Sequence, residues 1–128
     1  MLGNLKPDQC TSPTADNRPA TLTFAAERLA RVVCADAEML TEDDIRVIAR
    51  HIAEVQVHQI AGAIAQVISS SGVHGPIVAA GVGAFLVHAA AERLGLECKP
   101  LAATLGEAAG QAAPAAALAL LLAEWPDV

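Results

Sequence analysis

The sequence predicts a helix-dominated α/β fold in which one short parallel βαβ unit sits among packed helices. Three observations point there. Alanine fills nearly a quarter of the 128 positions and aromatic residues only 2%, against 54% hydrophobic residues overall, a composition suited to closely packed helices. From Thr21 onward, apolar residues recur mostly at helical spacing. One exception, Pro76-Ile77-Val78-Ala79-Ala80, is a short apolar run bounded by turn residues, as a buried strand would be. The length suits a single folding unit with a modest core.

Residues 1–20 hold three prolines among Thr, Ser, Asp and Asn, which favour turns and mark a leader or connecting loop. The remaining residues, 21–128, are expected to form one lobe. Leu22, Ala25, Ala26, Leu29, Ala30 and Val33 predict a first helix over about 22–34, with Thr21 or Thr23 as its N-cap. Cys34 reads as a core residue at its end. Thr41-Glu42-Asp43-Asp44 is a helix-start signal, because the hydroxyl accepts from free amides and the acids complement the positive end of the dipole. The long helix that follows, about 42–69, carries Ile45, Ile48, Ile52 and Val55, then Ile60, Ile64 and Val67, a stripe that drifts around the axis.

Ser69-Ser70-Ser71-Gly72 ends that helix and Gly75-Pro76 turns the chain into the first strand, about 76–80. Gly81-Val82-Gly83 closes the strand. A third helix over about 84–94 stops at Gly95, placed as its C′ residue. A second strand spans about 97–102, demoted to an edge by Pro100. Strand, helix, strand implies a right-handed crossover between parallel strands. Pro114 suits the first turn of a last helix, about 114–125. Two strands alone make a poor sheet, since a parallel pair normally lies inside a larger one covered on both faces.

Bulk properties exclude some classes of function. A net charge of −6 with dispersed Arg and Lys argues against nucleic-acid binding, which needs a basic stripe to neutralise phosphates. The longest strongly apolar stretch, 112–123, is shorter than the roughly 20 residues that span a bilayer, so no membrane partner is expected. Cys10, Cys34 and Cys98 are odd in number and widely spaced, with no C-x-x-C motif or secretory signal, which points to reduced thiols in the cytoplasm.

The strongest candidate site is Gly81-Val82-Gly83. Glycines between a strand and a helix let backbone amides approach a ligand, and the helix N-terminus favours anionic or polar groups. An ordinary tight turn explains the same residues, and Leu86 stands where a dinucleotide fingerprint has its third glycine. His51, Glu54 and His58 share one helical face and would suit a metal by type, yet that face also carries Asp44 and reads as solvated, so no metal site is assigned. Gln56 and Gln59 fall toward the apolar side, where a polar group needs a partner. His74 lies in the loop before the strand, and His88 reads as packed in the following helix. Thr14-Ala15-Asp16-Asn17-Arg18 offers a carboxylate and a guanidinium in a loop, with an Asx-type turn as the simpler reading. No nucleophile with a paired base and no G-x-x-x-x-G-K-[ST] phosphate cradle is evident, so the catalytic residues are unknown.

In order along the chain, PTADNRP, AAERLARVVCADAEML, IARHIAEVQVHQI, PIVAAGVGAFLVHAAAERLGL and APAAALALLL resemble the C-terminal part of the tetrahydromethanopterin-linked C1-transfer pathway proteins. That group includes a methanofuran-biosynthesis synthase and belongs to the hydantoinase/oxoprolinase-like branch of the sugar kinase, heat-shock chaperone and actin superfamily. The resemblance covers nearly all 128 residues. It implies a partial actin-like ATPase lobe in which Gly81, Val82 and Gly83 line the adenosine side of a nucleotide cleft. Gly-Val-Gly departs from the adjacent Gly-Gly pair of the wider superfamily, and Asn17 stands where members often have Gly.

Full-length members carry phosphate loops in an N-terminal part, so the resemblance further implies an incomplete catalyst. ATP or ADP with Mg would bind the complete enzyme, and no cofactor would bind this chain tightly alone. The expected partner is a missing N-terminal lobe or, through the open sheet edge, a second copy of the chain. The alternative is a non-catalytic self-associating interaction domain.

Overall fold

A computed structural model describes residues 2–72 and 74–125; residues 126–128 of the expected lobe lie outside the described residues. Among the described residues, six α-helices and two strands follow in the order α1 (Leu22–Val32), α2 (Glu42–Ser71), β1 (Ile77–Ala79), α3 (Ala84–Arg93), β2 (Cys98–Pro100), α4 (Ala102–Leu105), α5 (Glu107–Gln111) and α6 (Ala113–Glu124), with 3-10 turns at Pro7–Gln9 and Ala37–Met39. The fold is helix-dominated α/β, as the alanine content and periodicity predict. Where the sequence suggests one lobe, the chain divides into two compact units, Met1–Gln56 and Val57–Val128.

In the first unit, α1 starts at Thr21, whose side chain accepts from the Phe24 amide at 3.4 Å. It ends two residues earlier than the periodicity suggests. Cys34 adopts φ +58, while its amide bonds the Arg31 carbonyl and the Ala35 amide reaches back to Ala30. These are the two bonds of a Schellman stop, with a cysteine in the left-handed position usually held by Gly. Cys34 is therefore exposed and not core: the left-handed residue leaves the helical face. The N-terminus of α2 forms a reciprocal cap, the Thr41 hydroxyl accepting from the Asp44 amide at 3.2 Å and the Asp44 carboxylate accepting from the Thr41 amide at 2.9 Å. Among the described residues of this unit, Ala30, Ile45 and Ala49 are the buried apolar ones.

The second unit holds the βαβ. β1 and β2 pair in parallel with Ile77 opposite Cys98, Val78 opposite Lys99 and Ala79 opposite Pro100. Both strands are shorter than expected. The second stops at Pro100 because Leu101, after donating its amide to the Ala79 carbonyl at 2.8 Å, takes helical φ/ψ and opens α4. Nor is β1 buried along its length: Ala79 is, while Val78 is 58% exposed. Between the strands, α3 ends as predicted at Gly95 (φ +67), whose amide bonds Glu92 while the Leu96 amide bonds Ala91.

A small cluster forms the core, with Val57, Ala61 and Ala90 buried and Ile60, Ile64, Leu86 and Ala89 packed against them. Alanine buries little area per residue, so this core contributes less than one built on Leu or Phe. Beyond β2, α4 and α5 occupy a stretch in which the sequence suggests no element before the last helix. That helix, α6, contains no buried residue. Its Leu118, Leu121 and Leu122 and the C-cap residue Trp125 are 53–70% exposed and are spaced i, i+3, i+4 and i+7, as on one face.

Candidate nucleotide-cleft turn

The chain leaves β1 and enters α3 through Ala80-Gly81-Val82-Gly83. Gly81 has φ +77, a conformation that L side chains resist, so the first glycine is required by backbone geometry. Gly83 is the N-cap of α3 at φ −88, where any residue fits. Added Cβ atoms at Gly81 and Gly83 would meet nothing within 4 Å. The front of the turn is open.

The turn is held from behind by a residue that sequence reasoning did not select. The Gly81 amide donates to the Gly110 carbonyl at 2.8 Å, and the Ala84 amide closes the turn onto the Gly81 carbonyl at 3.2 Å. Gly110 is buried in α5, and a Cβ there would lie 2.8 Å from the Ala102 Cβ and 2.9 Å from its Cα. Its one sequence signal was a glycine interrupting the Ala-rich run EAAGQAA. With the Gly81 amide already engaged, the amides open to a ligand in the turn itself are those of Val82 and Gly83, which have no partner among the described residues. Val82 itself is 49% exposed. Two free amides at a helix N-terminus suit a neutral or anionic polar group.

In the first unit, the loop from Thr14 to Arg18 is more organised than an Asx turn alone. Asp16 accepts from the Thr14 hydroxyl at 3.0 Å, the Arg18 amide at 3.2 Å, Arg18 Nε at 2.9 Å and Arg28 of α1 at 3.0 Å. Arg18 also pairs with Glu27 and stacks over the Phe24 ring, 4.4 Å from its centroid. Asn17 takes φ +56 to make this bend, a conformation Asn tolerates better than most residues. Partial desolvation pushes the Asp16 carboxyl up, but hydrogen bonds from the Arg18 side chain and backbone, Thr14 and Arg28 outweigh it and hold the group well below the usual carboxylate range.

The profile of the hydantoinase/oxoprolinase family matches residues 1–125. The chain belongs to the hydantoinase/oxoprolinase family. The match spans both the Asp16 loop and the glycine turn. No curated protein matches the chain.

The remaining candidates of this hydantoinase/oxoprolinase-family chain are dispersed. His51, Glu54 and His58 are all exposed on α2, and no group of three or more His, Cys, Asp or Glu is placed to hold a metal among the described residues. Gln56 and Gln59 are exposed as well; α2 turns them to water, so they need no protein partner. His88 does not pack, being exposed on α3 with His74 exposed in the preceding loop. Cys98 is half-buried, and desolvation pushes its thiol up, which makes it a weaker nucleophile. No described helix is long and apolar enough to cross a membrane.

Proposed function

We propose that this chain supplies one wall of the nucleotide or substrate cleft of a cytoplasmic hydantoinase/oxoprolinase-family enzyme with an actin-like ATPase fold, acting in methanofuran-type cofactor biosynthesis within tetrahydromethanopterin-linked C1 metabolism. The observation that carries the cleft assignment is the open turn at Gly81-Val82-Gly83, with the amides of Val82 and Gly83 unengaged in front and Gly81 tied back to Gly110. The pathway assignment rests on the ordered likeness of PTADNRP, IARHIAEVQVHQI and PIVAAGVGAFLVHAAAERLGL to the C1-transfer proteins.

The residues of the turn fit the sugar or base of ATP or ADP, which backbone amides can orient through hydrogen bonds. They include no carboxylate for Mg, so the metal and the phosphates belong with a second lobe. The need for that lobe is supported by the state of the second unit. Its sheet has two three-residue strands among the described residues, and α6 with its C-cap Trp125 presents four large exposed apolar side chains. Burying each of those would contribute about 1–2 kcal/mol. A helix that is apolar all round belongs inside a larger structure.

The test is reconstitution with a polypeptide carrying the phosphate-loop half of a full-length relative. A stable complex that binds ATP at least about tenfold more tightly than either half, with the gain lost in Gly83→Val, is expected. No complex and no gain in ATP binding by calorimetry overturns the reading.

A further inference from the structure

The acidic chain carries a concentration of positive charge that its glycine turn does not use. Arg18, Arg28 and Arg31 line one cleft of about 510 Å³ together with Ala15, Asp16 and Val32. All six residues belong to the first unit, and the cleft is independent of the cleft function proposed above. Within that lining three guanidiniums stand against the single carboxylate of Asp16, while Glu27 pairs with Arg18 and Asp36 and Glu38 line an adjoining cleft with Arg31.

Two of the three arginines are held in place. Arg18 is committed to Asp16, Glu27 and the Phe24 face. Arg28 gives one guanidinium nitrogen to Asp16 at 3.0 Å and its side chain is only 22% exposed, so its orientation is set by the protein. The remaining donors of that guanidinium have no protein acceptor among the described residues. Arg31 lies one turn further along α1 on the same face. It makes no ion pair among the described residues, unlike the other two. Val32 is 66% exposed beside them, and with Ala15 it gives the cleft an apolar wall next to its cationic edge.

We propose that this cleft is a binding site for a monocarboxylate with a short apolar body, the carboxylate taken by Arg28 and Arg31 and the hydrocarbon laid against Ala15 and Val32. Planar guanidiniums match a carboxylate with paired hydrogen bonds. Carboxylates already flank the arginines, so a monoanion suits the cleft better than a dianion, and the apolar wall suits an organic acid better than inorganic phosphate. Asp16 is the positioning residue: it engages Arg18 and Arg28 through its two oxygens and so fixes one side of the cleft before a ligand arrives.

The test is a titration of the full chain with hexanoate, followed by amide and arginine Nε–H resonances at constant ionic strength. Hexanamide, inorganic phosphate and sodium chloride serve as separate arms. Saturable shifts centred on Arg28, Arg31 and Val32 are expected with hexanoate, and binding at least about tenfold weaker with hexanamide and phosphate. Arg31→Ala, at an exposed position, should weaken hexanoate about tenfold, with Arg31→Lys recovering only part of the loss because the charge returns without the fork. Equal shifts from chloride, phosphate binding as tight as hexanoate, or unchanged affinity in both Arg31 variants overturns the site. The resonances of residues outside the cleft report whether each variant is folded.

Discussion

The Gly81 amide donates to the carbonyl of Gly110 at 2.8 Å, joining the turn after β1 to a helix 29 positions further along the chain. Gly110 can approach this closely only because it lacks a side chain. A Cβ at that position would overlap Ala102, whose Cα, Cβ and N all lie within 3.0 Å of it. Backbone atoms cannot swing aside as a flexible side chain would. Gly110→Ala is therefore expected to destabilise the chain by about 1–3 kcal/mol, read as a lower urea midpoint with an unchanged slope. A midpoint within error of the parent would show that α4 and α5 separate at little cost.

The two glycines of the turn should behave differently. Gly81→Ala places a Cβ at φ +77 and should cost about 1–2 kcal/mol, seen as a fall in Tm. Gly83→Ala, at an ordinary φ with open space in front, should change stability by less than about 0.5 kcal/mol. Equal effects at both positions would contradict the backbone account of the turn.

The reciprocal cap at the start of α2 should be measurable by itself. Thr41→Ala removes the acceptor of the Asp44 amide and should cost about 1 kcal/mol. Thr41→Ser, which keeps the hydroxyl, should recover most of it. Thermal melts followed at 222 nm distinguish the two.

Acid should weaken the first unit through its carboxylates. Asp16 and Asp44 both have pKa values lowered in the fold, Asp16 by Arg18, Thr14 and Arg28 against partial desolvation, and Asp44 by the Thr41 hydroxyl and amide. A depressed carboxyl contributes stability that is present above its unfolded value, near 4, and lost as the pH falls from there toward the folded value. Tm is expected to decline below about pH 4, and Asp16→Asn should flatten that decline while lowering stability at neutral pH. An identical pH profile for parent and Asp16→Asn would show that the Arg18 and Arg28 bonds add nothing in solution.

Chemistry contained within a few residues was legible in the sequence. Thr41 before three acids predicted a cap, Gly95 after a periodic run predicted a helix stop, and Gly81 between a strand and a helix predicted a turn. Each follows from backbone rules acting over about one helical turn, and so did the helix-dominated α/β class. The same local logic misread Cys34, because a Schellman stop with a cysteine in the left-handed position carries no residue signal. It also misjudged Gln56, Gln59 and His88, whose exposure depends on which faces of α2 and α3 find a neighbour.

Tertiary structure alone decided the rest. Only the packing of α4 against α5 explains why Gly110 is a glycine and why the Gly81 amide is unavailable to a ligand. Likewise, Asp16 and Arg28 lie 12 residues apart, and nothing periodic in the sequence joins them; the left-handed bend at Asn17 brings the loop back onto α1 and sets three arginines around one cleft. Local sequence determines where helices and turns begin and end because their hydrogen bonds close over three to five residues. Which of those elements then meet depends on long-range burial, and that is what ties the glycine turn to Gly110 and draws the arginines around Asp16.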